Sequence, residues 1–133
     1  MARLRRAAPD VLAAIFALSG ALHLLRPSTY AALIPPVLPA PGAIIAASGI
    51  AELACAVALR RRVGWAAPVA AALLVAVFPG NIWFAVDPAR SRSDLVTALA
   101  WLRLPLQAPL IWMALQARPI DKAGASRDTP NDR

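Results

Sequence analysis

The sequence predicts an all-α, integral membrane four-helix bundle. Three features carry that expectation: four apolar runs of about 20 residues, basic residues gathered at the ends of those runs, and small residues repeated inside them. Of 133 residues, 59% are hydrophobic and only 16% charged, which suits one compact unit solvated by lipid. A net charge of +7 on a soluble chain would point to nucleic acid. Here the charge flanks long apolar stretches, so it reads as membrane orientation and nucleic acid is excluded as a partner. The single cysteine, Cys55, lies in an apolar stretch, and one thiol builds neither a disulfide nor a CxxC motif. It reads as a small packing residue.

The first span runs from about Ala7 to Leu25, the second from about Gly42 to Leu59, the third from about Gly64 to Val86 and the fourth from about Leu95 to Ala117. Each is long enough for a bilayer core roughly 30 Å thick, and together residues 1–117 form one membrane domain. Ala46-Ala47-Ser48-Gly49 and Ala70-Ala71-Ala72 permit close approach of helix backbones where no hydrophobic effect drives helices together. The first span has a rival reading as a cleavable signal peptide, with Met1 to Arg6 as its basic start and Val11 to Leu18 as its apolar segment. Its apolar stretch exceeds what a signal peptide needs, which favours the span.

Basic residues set the direction. Arg3, Arg5, Arg6, Arg60, Arg61, Arg62, Arg118, Lys122, Arg127 and Arg133 fall on one side, ten in all, against three on the other, Arg26, Arg90 and Arg92. By the positive-inside rule both termini are expected in the cytoplasm. The segment 118–133 is polar, holds scattered Gly, Pro and Asp, and has no apolar periodicity, so it reads as a disordered cytoplasmic tail.

The connection Arg26 to Pro41 is both apolar and proline-rich, which forbids a continuous helix yet keeps its Leu, Ile and Val side chains out of water. It is expected to lie along the outer interface or to fold over the bundle mouth. Whether it only closes the bundle or acts as a lid over a pocket stays open.

Polar groups inside the spans make a pattern. Ser19 and His23, Ser48 and Glu52, and Arg103 and Gln107 are each four residues apart, hence on one face of their helices, and Asn81 joins them from the third span. Ionisable groups at membrane depth are costly unless they face the bundle interior. With a rise of about 1.5 Å per residue, Glu52 and Gln107 fall near the bilayer centre, and His23, Asn81 and Arg103 roughly 5 to 10 Å toward the outer face. One cavity can hold all five, and the long Arg103 stem is expected to bring its guanidinium to Glu52 as an ion pair. Pro79 and Pro105 stand at the same level and free the carbonyls of Val75 and Trp101 for neighbours or water.

His23, Ser48, Glu52, Asn81, Arg103 and Gln107 are therefore the candidate site. Three roles compete for it: fixing helix register, binding a polar head group, and passing protons. His23 taken alone reads as a satisfied interfacial histidine or as a ligand contact. One His, one Glu and one Cys give too few ligands for a tight metal site, so no metal is expected. Trp65, Trp83, Trp101 and Trp112 read as interface or packing aromatics.

The order His23, Arg26-Pro27, Tyr30, Ile34-Pro35-Pro36, Leu38-Pro39-Ala40-Pro41, Ser48-Gly49-Ile50-Ala51-Glu52, Val77-Phe78-Pro79-Gly80-Asn81 and Arg103-Leu104-Pro105-Leu106-Gln107 resembles the DoxX-like family of small bacterial membrane proteins. The resemblance covers nearly everything from His23 to Trp112. It implies a four-helix inner-membrane protein whose matching His, Glu, Asn, Arg and Gln positions are those picked out above. It also implies association with redox complexes, quinone metabolism or the assembly of other membrane proteins. No flavin, haem or thiol motif is visible and no covalently bound cofactor is expected, so a redox role would need a bound quinone or a partner.

Two functions follow as expectations, and the residues commit to no catalytic reaction. One is an accessory subunit whose cavity holds a quinone or membrane lipid beside a membrane redox complex. The other is a structural or assembly factor for other membrane proteins. A transporter is the weaker reading, because four spans show no clear inverted repeat.

Overall fold

The computed structural model describes residues 2–87 and 93–117. Arg90, Arg92 and the expected tail 118–133 lie outside the described residues. The elements in chain order are α1 (Ala2–Leu25), α2 (Pro27–Tyr30), a 3-10 turn (Ala31–Leu33), α3 (Pro41–Arg60), α4 (Ala66–Val86) and α5 (Asp94–Gln116). No strand occurs among the described residues. The four long helices are long and apolar enough to cross a membrane, and the protein is an all-α membrane bundle.

Local chemistry sets several helix ends. Pro27 and Pro41 open α2 and α3, where a missing N–H costs nothing and the fixed φ suits the first turn. Ser93 caps α5, its hydroxyl accepting from the Val96 N–H at 3.4 Å. α3 closes with Val63 N–H on the Ala58 carbonyl at 3.0 Å and Arg62 N–H on the Leu59 carbonyl at 3.1 Å. Arg62 then sits at φ 56°, a left-handed position that favours glycine.

The Arg62 side chain makes contacts there that a glycine could not. Its guanidinium donates to Asp10 Oδ2 at 2.8 Å and to the Arg6 carbonyl at 3.2 Å, while Arg60 donates to Asp10 Oδ1 at 2.7 Å. These contacts staple the α3–α4 turn to α1 at the basic end of the bundle. All three side chains are substantially exposed, so each ion pair contributes only about 0–1 kcal/mol.

α1 and α3 run antiparallel, as the pairings Asp10–Arg60 and Gly20–Gly49 show. They cross where a Cβ on Gly20 would stand 2.7 Å from the Gly49 carbonyl oxygen, so the two backbones are in direct contact. α4 packs chiefly on α5, and α1 and α3 meet that second pair more lightly. The core is concentrated toward the basic end, where Leu12 and Phe16 of α1, Cys55 and Leu59 of α3, Ala70 and Leu74 of α4 and Ala114 of α5 interlock. Cys55 is buried there as a packing residue, its sulfur 3.7 Å from the Ala66 carbonyl oxygen. Toward the other end the helices enclose cavities instead.

The proline-rich connection folds back over that open end. The 3-10 turn lies against α4, with the Leu33 carbonyl oxygen 3.0 Å from where a Cβ on Gly80 would be. α4 and α5 continue as helices through Pro79, Pro105 and Pro109. Trp65, Trp101 and Trp112 are exposed on the bundle's outside, while Trp83 is partly buried.

Candidate functional site

Among the described residues, a smaller and a larger cavity lie side by side in the open half of the bundle. The smaller, about 190 Å³, is lined by His23, Glu52, Asn81, Arg103 and Gln107 together with Ser19, Tyr30 and apolar residues of α1, α4 and α5. The larger, about 420 Å³, lies between the proline-rich connection, α3 and α4, and its walls are mostly aliphatic. His23, Tyr30, Leu33, Leu73 and Val77 face both, so the two volumes meet across a thin partition.

Glu52 stands at the centre of this arrangement. It is only 5% exposed, and Ser48 Oγ donates to its Oε1 at 3.4 Å across one helical turn. Ser48 itself lines the larger cavity, so this bond links the two volumes. Oε2 lies 3.7 Å from His23 Nδ1, near enough for an ion pair when the imidazole is protonated but beyond hydrogen-bond length. Oε2 is buried and has no hydrogen-bond partner among the described residues.

His23 is held from two sides. Its Nδ1 is 2.8 Å from the Ser19 carbonyl oxygen, a contact that assigns the Nδ1 proton to that bond in the neutral ring. Its face stacks on Tyr30, with ring centroids 3.7 Å apart and planes 25° from parallel. The Gly20–Gly49 crossing makes this possible, since the position of a Gly49 Cβ is 2.8 Å from His23 Cβ. Burial pushes the Tyr30 phenol above its ordinary range and Glu52 adds to the shift, against the opposing pull of Arg103 and a Ser19 hydrogen bond. The phenol therefore remains a protonated donor at neutral pH.

Gln107 donates through Nε2 to the Leu74 carbonyl. That carbonyl is the neighbour of the Val75 carbonyl expected to be freed by Pro79, not that carbonyl itself. Asn81 is buried in the same cavity wall.

The expected Glu52–Arg103 ion pair does not form. Arg103 lines the smaller cavity but makes no salt bridge among the described residues, and Glu52 has His23 as its nearest basic partner. The reason is helix arrangement: α1 and α3 touch backbone to backbone, whereas α5 packs on α4 and presents Arg103 from the far side of the cavity.

A family model matches residues 12–118, and its description is a domain of unknown function, DUF8561. The chain belongs to the DUF8561 family. The match covers α3, α4 and α5 and the part of α1 from Leu12 onward in this DUF8561 chain, and with them every residue of the cavity. Neither the curated proteins nor the solved structures contain a match to it.

Two residues of the DUF8561 cavity were not among the candidates. Tyr30 supplies the ring that stacks on His23, and Ser19 supplies the carbonyl that orients it. Ser19 was legible as the residue on the same face as His23, but only the fold shows that its main-chain oxygen does the orienting. For Tyr30 the available signal was an aromatic within a helical turn or two of His23, just past a proline.

Proposed function

We propose that this DUF8561 chain is a DoxX-like accessory subunit of a bacterial inner membrane that holds a quinone or a membrane lipid beside a membrane redox complex. The ligand's polar head lies in the smaller cavity and its apolar tail in the larger. One observation carries the reading: Glu52, buried and with its Oε2 unpartnered, lines a cavity where polar side chains gather among aliphatic ones, and that cavity adjoins a larger aliphatic one. A carboxyl that only fixed helix register would be expected to have its hydrogen-bonding capacity filled by protein. The larger volume also falls within the roughly 300–1,000 Å³ usual for small-molecule sites. The resemblance in motif order supports the same class of ligand.

Native mass spectrometry after gentle detergent extraction tests it. The expected spectrum has the protein with one quinone or lipid retained, and Glu52→Gln or Tyr30→Ala loses that mass. A wild-type protein that always emerges free of ligand counts against the reading. The alternative, a structural or assembly factor, draws support from the broad apolar face of α5, where Leu95, Leu99, Trp101 and Leu102 are exposed. Lipid alone also covers such a face.

The orientation in this proposal has both termini in the cytoplasm, on the strength of the ten-to-three distribution of basic residues. Reporter fusions to either end are expected to be active only as cytoplasmic reporters. A periplasmic reading at either end would reverse the assignment.

A further inference from the structure

We infer that the ligand's polar head is a hydroxyl, and that Glu52 Oε2 is the atom that accepts its hydrogen bond. This rests on the reading above that an amphiphilic molecule occupies the two cavities, and it narrows that reading to one chemistry.

The groups around Glu52 carry the inference. Ser48 gives its proton to Oε1. His23 Nδ1 is the nearest nitrogen to Oε2, but its proton is directed to the Ser19 carbonyl. Gln107 spends an Nε2 proton on the Leu74 carbonyl. Arg103 brings a cation to the same cavity wall without reaching the carboxyl. A carboxyl placed among donors and a cation offers its uncommitted oxygen as an acceptor. The Tyr30 hydroxyl, in the same cavity, is hydrogen-bonded with the Ser19 side chain and does not serve the carboxyl, whose Oε2 has no hydrogen-bond partner among the described residues. What the site lacks is therefore one donor at Oε2.

A ligand whose head carries only carbonyl oxygens would set acceptor against acceptor and leave Oε2 buried and unpaired, the costly arrangement. A head with an O–H fills the vacancy directly. The aliphatic volume beside it, lined by Leu38, Ile44, Ile45, Ala76 and Pro79, suits the apolar chain such a molecule carries. Two kinds of membrane molecule have this shared chemistry: a quinol, the reduced form of a quinone, and a lipid with a free hydroxyl such as a diacylglycerol.

Equilibrium binding to the full-length protein in detergent separates the possibilities. The probes are a benzoquinol with two isoprene units, kept reduced under nitrogen, its oxidised quinone, dioleoylglycerol and trioleoylglycerol. The quinol is expected to bind about tenfold tighter than the quinone, the effect of one buried hydrogen bond. Glu52→Gln, which places an amide N–H where an acceptor stood, should shrink or invert that ratio. Dioleoylglycerol binding in preference to trioleoylglycerol, with neither quinone form bound, would support the hydroxyl chemistry and assign it to lipid.

The wild-type ratios decide the matter even if the variant fails to fold. Quinone binding as tightly as quinol overturns the hydroxyl assignment while leaving an amphiphile site in place. Binding of none of the four probes overturns the assignment and the site together.

Discussion

Gly20→Val is expected to lower the stability of the bundle by about 3 kcal/mol, the upper part of the range for overpacking a tight contact. A Cβ at Gly20 would lie 2.7 Å from the Gly49 carbonyl oxygen and 2.9 Å from Leu53 Cγ. Neither neighbour gives way cheaply, because one is backbone inside α3 and the other sits in the same crossing. α1 and α3 must separate, and with them His23 and Glu52, so ligand retention falls together with the unfolding temperature. Gly49→Val acts from the other side, its Cβ meeting His23 Cβ at 2.8 Å. Gly42→Ala is the control: a Cβ there meets nothing within 4 Å and the residue is helical. That change is expected to be neutral or to stabilise by up to about 1 kcal/mol. Thermal unfolding of the purified variants in detergent gives the comparison, and a Gly20→Val protein as stable as wild type would mean that the helices do not touch there.

The helices were readable from sequence because long apolar runs leave the backbone one way to satisfy itself in lipid. The i, i+4 spacing of Ser48 with Glu52 and of Arg103 with Gln107 was enough to place each pair on one helix face. Depth along the membrane could be estimated by counting residues, and it brought His23, Glu52, Asn81, Arg103 and Gln107 to similar heights. Height says nothing about which helices are neighbours. The Gly20–Gly49 contact decides that α1, not α5, is set against the carboxyl of Glu52, and this made His23 its partner where Arg103 was expected. Tyr30 escaped for a different reason. It follows Pro27 in a connection without helical or strand period, so no pattern fixes where its ring goes until the turn Ala31–Leu33 is seen resting on Gly80. Gln107 was placed in the cavity, but its choice of the Leu74 carbonyl depends on the register of α5 against α4, which composition does not encode.

Two double-mutant cycles sharing Glu52 are expected to give opposite results. In the first, Glu52→Gln and His23→Phe each remove one member of a buried pair 3.7 Å apart. Each single change should cost about 2 kcal/mol, below the roughly 3–5 kcal/mol of a fully formed buried ion pair because the His23 charge depends on protonation. The double variant should recover about 1 kcal/mol of the summed loss, the coupling expected of residues in contact. In the second cycle, Arg103→Leu takes the place of the histidine change. Arg103 shares the cavity but forms no salt bridge with Glu52, so the two losses should add to within about 0.5 kcal/mol. Chemical or thermal unfolding in one detergent supplies all the values. A Glu52–Arg103 coupling larger than the Glu52–His23 coupling would show that the guanidinium crosses the cavity to the carboxylate. In that event Oε2 would already have its donor, and the case for a ligand hydroxyl at that atom would fall with it.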